Sequence, residues 1–321
     1  MLRRALRSAL LASLALAVAP GSASALVDAS RGQRAGGWWG GTYTVSTGEQ
    51  VRVLLSDSYP ADEARAQHWA ETLAQLVHGP ELSRLTAHFA PIDEVRRLCG
   101  PSAAGCYSPT DQSLLVPGES LPGLSAESVL AHEYGHHVAN NRANPPWNGL
   151  DWGPKRWASY QRICPRARAG TAFPGTPVRY RLQPGEAFAE AYRVFIETRA
   201  GALDFSWSVV DGSFRPDASA LRVVEQDVLR PWEPTTLVLR GRPGRRAGGV
   251  HERLLALPYD GVLAARVTPR AYRLQVVDPF SGRVLARGGS LSRTICGERS
   301  LLLRVVGDGR HGPFTIRITR P

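Results

Sequence analysis

Residues 125–141 read SAESVLAHEYGHHVANN, which sets His132, Glu133 and His136 in the order His-Glu-x-x-His. On a helix, residues four apart share a face. The imidazoles of His132 and His136 would therefore converge on one point, at a spacing that suits Zn2+. Glu133 lies one step round the same helix. There it could hold a water molecule, take its proton as the water attacks a carbonyl, and pass that proton to the leaving amine. His137 is turned about 100° from His136, which places it outside the ligand set. Ser125 is a good N-cap for this helix, and Asn140-Asn141 is its expected end.

A catalytic zinc needs a third protein ligand. The metzincin pattern would put a Gly and a third His where this chain has Ala139 and Arg142, and a GTxDxxYG-like segment of the aspzincin kind is missing. What the chain offers is GEAFAEAY, residues 185–192, with Glu186 and Glu190 four apart on a predicted helix. Glu186 can ligate the metal, while Glu190 can hydrogen-bond a ligand His and fix its tautomer and orientation. Tyr180, shortly before Glu186, is a candidate for polarising the carbonyl of a tetrahedral intermediate, with Tyr192 as its rival.

The two motifs together resemble the gluzincin metallopeptidases. The likeness is nearest to the catalytic domain of the anthrax lethal factor group, in which a His-Glu-x-x-Gly-His-like helix is followed by a Glu-x-Phe-Ala-Glu-like helix. HEYGH and EAFAE match those two elements. The resemblance implies a zincin-like fold, Zn2+ as cofactor, His132, His136 and Glu186 as its ligands, and Glu133 as general base. It covers the two helices and the strand before them. The chain as a whole also resembles a group of secreted actinobacterial proteins with the same HEYGHH, NPPW and PGEAFAE elements.

The elements that must position these residues follow from local patterning. β-branched residues in TYTVSTGEQVRVLLS predict one or two strands, and Ala61–Val77 reads as an amphipathic helix ended by Gly79-Pro80. Leu85–Ile92 and Ser113–Gly118 read as strands, the second just ahead of the motif helix and expected to form the sheet edge beside a cleft. Trp147, Trp152 and Trp157 follow in a polar connection and are expected to pack against the domain. A further helix is expected over Ala218–Leu229, before Pro231. From Thr236 onward, short β-rich runs alternate with turns: TTLVLRG, ERLLALPY, YRLQVVDP, GRVLARGG, SLLLRVVGD and PFTIRIT. That is the pattern of a small all-β sandwich, and the last run resembles the closing strand of jelly-roll modules appended to secreted bacterial peptidases. The expected architecture is thus α+β: a zincin-like domain over 41–232, then a β-sandwich over 235–321.

Ahead of these, Arg3, Arg4 and Arg7, an apolar run of about 11 residues and Ala-Ser-Ala at 23–25 read as a cleaved secretory leader over 1–25, with 26–40 as an N-terminal tail. The run is shorter than the about 20 residues that span a bilayer, so stable membrane insertion is not expected. Without the leader, 36 basic and 28 acidic residues leave a net charge of +8, nearly all of it arginine. No dense basic run points to nucleic acid. The even set Cys99, Cys106, Cys164 and Cys296 suits disulfides in an exported chain. The short loop favours Cys99–Cys106, and hence Cys164–Cys296. The expectation is an exported zinc endopeptidase acting on a peptide or protein. The alternatives are a zinc-stabilised binding protein and a zinc amidase acting on cell-wall peptides.

Overall fold

The computed structural model describes residues 37–202, 205–242, 250–307 and 312–321. The expected leader and residues 26–36 of the expected tail lie outside the described residues. The chain enters on β1 (Trp38–Thr44), which pairs antiparallel with β2 (Gln50–Ser56) from Trp38↔Ser56 to Thr44↔Gln50. This strand takes in the end of the stretch read as a tail. Trp39 and Tyr43 pack against the core, and Trp38 sets its ring edge-on to His88 at 4.7 Å.

Helix α1 (Glu63–Gln75) is capped by Asp62 and buries Ala66, Trp69, Ala70, Leu73 and Ala74, an apolar stripe at helical spacing. β3 (Thr86–Ala90), α2 (Ile92–Cys99), β4 (Cys106–Ser108) and β5 (Ser113–Pro117) complete a mixed sheet of order β1-β2-β3-β5-β4. β2, β3 and β5 run parallel, and β4 lies antiparallel on β5. The edge beside the cleft is therefore β4, which corrects the expectation that Ser113–Gly118 would be the edge. All five residues of β5 are buried, as befits an interior strand with both neighbours in place. The Cys99–Cys106 disulfide, closing a loop of separation 7, folds the chain back so that β4 can cover it.

The helical layer comprises α3 (Ala126–Asn140), the short α4 (Gly149–Trp152), α5 (Lys155–Tyr160) and α6 (Ile163–Arg168), then α7 (Pro184–Arg199) and α8 (Ala218–Leu229). Helices α3 and α7 pack closely, and Gly135 is the reason they can: a Cβ there would sit 2.7 Å from the Ala189 Cα. Trp157 is fully buried, edge-on to Phe188 at 5.4 Å, and Trp147 stacks on Trp152 at 4.7 Å.

After these helices the described residues form only strands as regular elements: β6 (Thr235–Gly241), β7 (Val250–Ala256), β8 (Gly261–Thr268), β9 (Arg273–Val277), β10 (Val284–Gly288), β11 (Ser290–Ile295), β12 (Ser300–Val306) and β13 (Phe314–Arg320). They form two antiparallel sheets, β10-β9-β12-β7 and β11-β8-β13-β6. Alternate residues of both, among them Leu263, Val267, Leu274, Leu303, Ile316 and Ile318, share one buried cluster. The molecule is thus mixed α and β, with several antiparallel pairings. The two parts are joined by the Cys164–Cys296 disulfide. They are also joined by Lys155, which is wholly buried and donates through Nζ to the carbonyls of Pro145 (2.7 Å) and Asp260 (2.9 Å).

Candidate metal centre

Ser125 caps α3 by accepting from the Ser128 amide at 3.0 Å, as its position implies. From there the helix carries His132 and His136 toward α7, with Glu133 one step round, beside Gly105. Glu186, in the first turn of α7, brings its Oε2 to 3.4 Å from the Nε2 atoms of both His132 and His136. The three ligand atoms all lie within 4.8 Å of one another. Four ligands at about 2.0–2.1 Å in a tetrahedron stand about 3.4 Å apart. The two nitrogen-to-oxygen distances thus match what a tetrahedral ion of that size requires, and two imidazoles with one carboxylate are a donor set for a borderline divalent metal.

Glu190, one turn further along α7, places Oε2 at 3.0 Å from Nδ1 of the same His132. That bond leaves Nε2 for a metal. Glu190 is itself clamped. Arg193 donates from Nε to Glu190 Oε2 (3.0 Å) and from Nη2 to Oε1 (2.7 Å). The same guanidinium reaches Glu197 at 2.5 Å and the Ser206 carbonyl at 2.6 Å, and Glu197 accepts from the Ser128 hydroxyl at 2.7 Å. A chain of buried and part-buried contacts thus runs from His132 through α7 back to the start of α3. Arg193 and Glu197 were not among the residues singled out from sequence. Their only signal was i+3 and i+4 spacing on α7, which gains meaning once Glu190 is known to touch His132.

Electrostatics at the centre set burial against mutual pairing of imidazoles and carboxylates. Burial alone would raise the Glu186 carboxyl, but the imidazoles of His136 and His132 outweigh it and hold the group well below its ordinary range. Burial works against charge on His132, yet hydrogen bonds to Glu186 and Glu190 push its imidazole up to about 10. Glu190 is depressed for the same kind of reason: burial is overcome by His132 and Arg193. Glu133 goes the other way, with burial raising its carboxyl against the lowering influence of both imidazoles. Among the described residues no protein group hydrogen-bonds the Glu133 carboxylate. Gly105, ahead of β4, approaches so closely that a Cβ there would meet Glu133 Oε1 at 2.9 Å.

The centre opens on a cleft with a cavity volume of about 860 Å³, walled on one side by Ala103, Ala104, Gly105 and Tyr107 and on the other by Leu150 and Gln183. Tyr180 stands at its rim and donates to Glu186 Oε2 at 2.6 Å. Desolvation of its hydroxyl and the charge of Glu186 lift the phenol above its usual range, which keeps it a proton donor at physiological pH. Tyr192 is not in the cleft: it is fully buried and its hydroxyl is spent on the Val77 carbonyl at 2.7 Å.

His137 is likewise committed elsewhere. Its Nε2 donates to the Glu81 carbonyl at 2.9 Å, so Nδ1 is the acceptor for the Tyr107 hydroxyl at 3.0 Å. Asn140 donates to that same hydroxyl at 3.0 Å. Burial lowers the His137 pKa and holds the ring neutral. No protein-family model matches this chain, and no curated protein sequence matches it.

Proposed function

We propose that the chain is an exported zinc metallopeptidase that hydrolyses internal peptide bonds, with a zincin-like catalytic domain followed by a β-sandwich. The observation that carries this reading is the convergence of His132 Nε2, His136 Nε2 and Glu186 Oε2 beside the unpartnered carboxylate of Glu133. Zinc held by those three side chains would supply Lewis acidity toward a carbonyl oxygen and would acidify water.

The remaining chemistry belongs to the protein. Glu133, buried and raised, is poised to accept a proton at its carboxylate from the attacking water and return it to the leaving nitrogen. The Tyr180 hydroxyl, one hydrogen bond from the ligand set, is a donor for the oxyanion that forms on the scissile carbonyl. Glu190, held by Arg193, keeps His132 in the tautomer that presents Nε2. The free edge of β4 offers main-chain groups with which an extended substrate can pair. Export is supported by the sequence of residues 1–25 and by the two disulfides. No helix among the described residues is long and apolar enough to cross a membrane.

The test is metal analysis of the purified protein together with casein hydrolysis, with and without a chelator, for the wild type and for Glu133→Gln. The expected result is one zinc per chain in both proteins, chelator-sensitive hydrolysis in the wild type, and a loss of at least about 100-fold in the variant. Full activity in Glu133→Gln would sink the mechanism.

A further inference from the structure

The charge of the chain is divided unevenly. Residues 26–234 hold 20 basic and 23 acidic residues, a net charge of −3, whereas residues 235–321 hold 16 arginines and five carboxylates, a net charge of +11. Such a split between two parts of one protein points to a polyanionic partner for the basic part. Four of the five carboxylates are described, and each is committed. Glu252 pairs with Arg304 at 2.7 Å, Asp260 with Arg299 at 2.7 Å and Glu298 with Arg293 at 3.2 Å. Asp278 accepts from the amides of its own turn.

None of the four stands on the outward face of the β11-β8-β13-β6 sheet. Strand alternation turns Leu263, Val267, Ile316 and Ile318 to the core, and so turns Arg266, Arg317 and Arg240 outward. Arg317 lies directly opposite Arg266, and Ser290 continues that row. Thr315 lies between Arg240 and Thr268 in the next outward row. All three arginines are exposed, and among the described residues none has an ion pair or hydrogen bond. Like charges facing each other across a strand pair are destabilising, and no carboxylate among the described residues offsets this pair.

We propose that this face is a docking surface for a linear polyol polymer joined by phosphodiesters. Directly opposed side chains stand about 5 Å apart and diagonal ones about 7–8 Å, so one flexible chain can meet the three guanidinium groups with neighbouring phosphates. The guanidinium fork matches phosphate oxygens bidentately, and the Ser and Thr hydroxyls between the arginines add donors of the kind that hold phosphate backbones. The rest of the face disfavours two other polyanions, nucleic acid and an anionic bilayer. Among the described residues it has no aromatic side chain on which a nucleic-acid base could stack. Among the described residues its sizeable apolar side chains are Val238 and the part-buried Val262, which make no wedge for a bilayer. The surface also leaves the cleft free. β8 starts at Gly261, where a Cβ would touch Lys155 Nζ at 2.7 Å, and Arg266 lies five residues along it, about 17 Å from that junction.

The experiment titrates the full mature protein with poly(glycerol phosphate) at 50 and 200 mM salt. Three phosphate contacts predict that affinity falls about 20–40-fold between the two. The triple variant R240Q/R266Q/R317Q should bind at least about tenfold more weakly and lose most of that salt dependence, while the Lys triple at the same positions keeps most of the binding. R253Q/R273Q/R287Q removes the same charge from other positions of the same part and should bind as the wild type does. Equal losses in the two Gln triples would reduce the effect to bulk charge and overturn the site. Tighter binding to duplex DNA or to phosphatidylglycerol vesicles than to the polymer would overturn the assigned partner.

Discussion

The His137 ring ties α3 to the edge of the sheet: its Nδ1 accepts from the Tyr107 hydroxyl at 3.0 Å while its Nε2 donates to the Glu81 carbonyl at 2.9 Å. His137, the last His of HEYGHH, thus serves position, not ligation. Replacing it by Phe keeps the volume but leaves the Glu81 carbonyl and the Tyr107 hydroxyl each one partner short. Denaturant unfolding should show a loss of about 1–3 kcal/mol. Bound metal should stay at the wild-type level, and KM for a peptide should rise more than kcat falls. Loss of metal from His137→Phe would show that the ring belongs to the metal centre after all.

Glu186 and Glu190 should separate cleanly by metal titration. Glu186→Ala removes a ligand atom and should leave the purified protein short of zinc. Glu190→Gln and Arg193→Met keep all three ligand atoms but release the His132 ring, and should weaken zinc by about 10–100-fold in a chelator competition. Unchanged affinity in both of these would mean that the contact at 3.0 Å to His132 Nδ1 does not set the ring.

Two glycines make opposite predictions. A Cβ at Gly135 would press on the Ala189 backbone at 2.7 Å, which cannot yield without parting α3 from α7. Gly135→Val should therefore fail to give a soluble, cooperatively unfolding protein. A Cβ at Gly105 meets the side chains of Glu133 and Val129, both at 2.9 Å, and side chains can move. Gly105→Ala should unfold near the wild-type midpoint yet lose turnover, because the carboxylate that gives way is the proposed base.

Acid should act partly through His88, which burial and the charge of Arg52 bring down to about 4 from an ordinary 6.5. Because the folded pKa is the lower one, the unfolded chain binds the extra proton between these values. The contribution of His88 is complete above about pH 6.5 and declines as pH falls toward 4. Between pH 6.5 and 5 the decline is about 2 kcal/mol. His88→Phe should show a smaller drop in unfolding free energy over that interval than the wild type, and an equal drop would refute the assignment.

What was legible from residues alone is what local periodicity encodes. The start of α3 at Ser125, the span of α8 and the grouping of His132, His136 and Glu186 all depend on spacing along one or two helices. Both cysteine pairs form as the loop lengths favoured. β4 could not be read that way. Three residues carry no period, and its place at the edge comes from a disulfide and from a hydroxyl bonded to a helix 30 residues on. β8 escaped notice because two of its alternating positions are Ala264 and Ala265, too small to show a pattern. The contact of Arg193 with Glu190 is spelled in the sequence, but its reach to Ser206 is a property of the folded chain.

The bridge between Cys164 and Cys296 spans 132 residues of chain. A single backbone cut anywhere within that span leaves both fragments covalently attached. Purified protein that has clipped itself there would migrate as one intact band on a non-reducing gel and fall into two pieces only after thiol treatment. Homogeneity of such preparations has to be judged under reducing conditions.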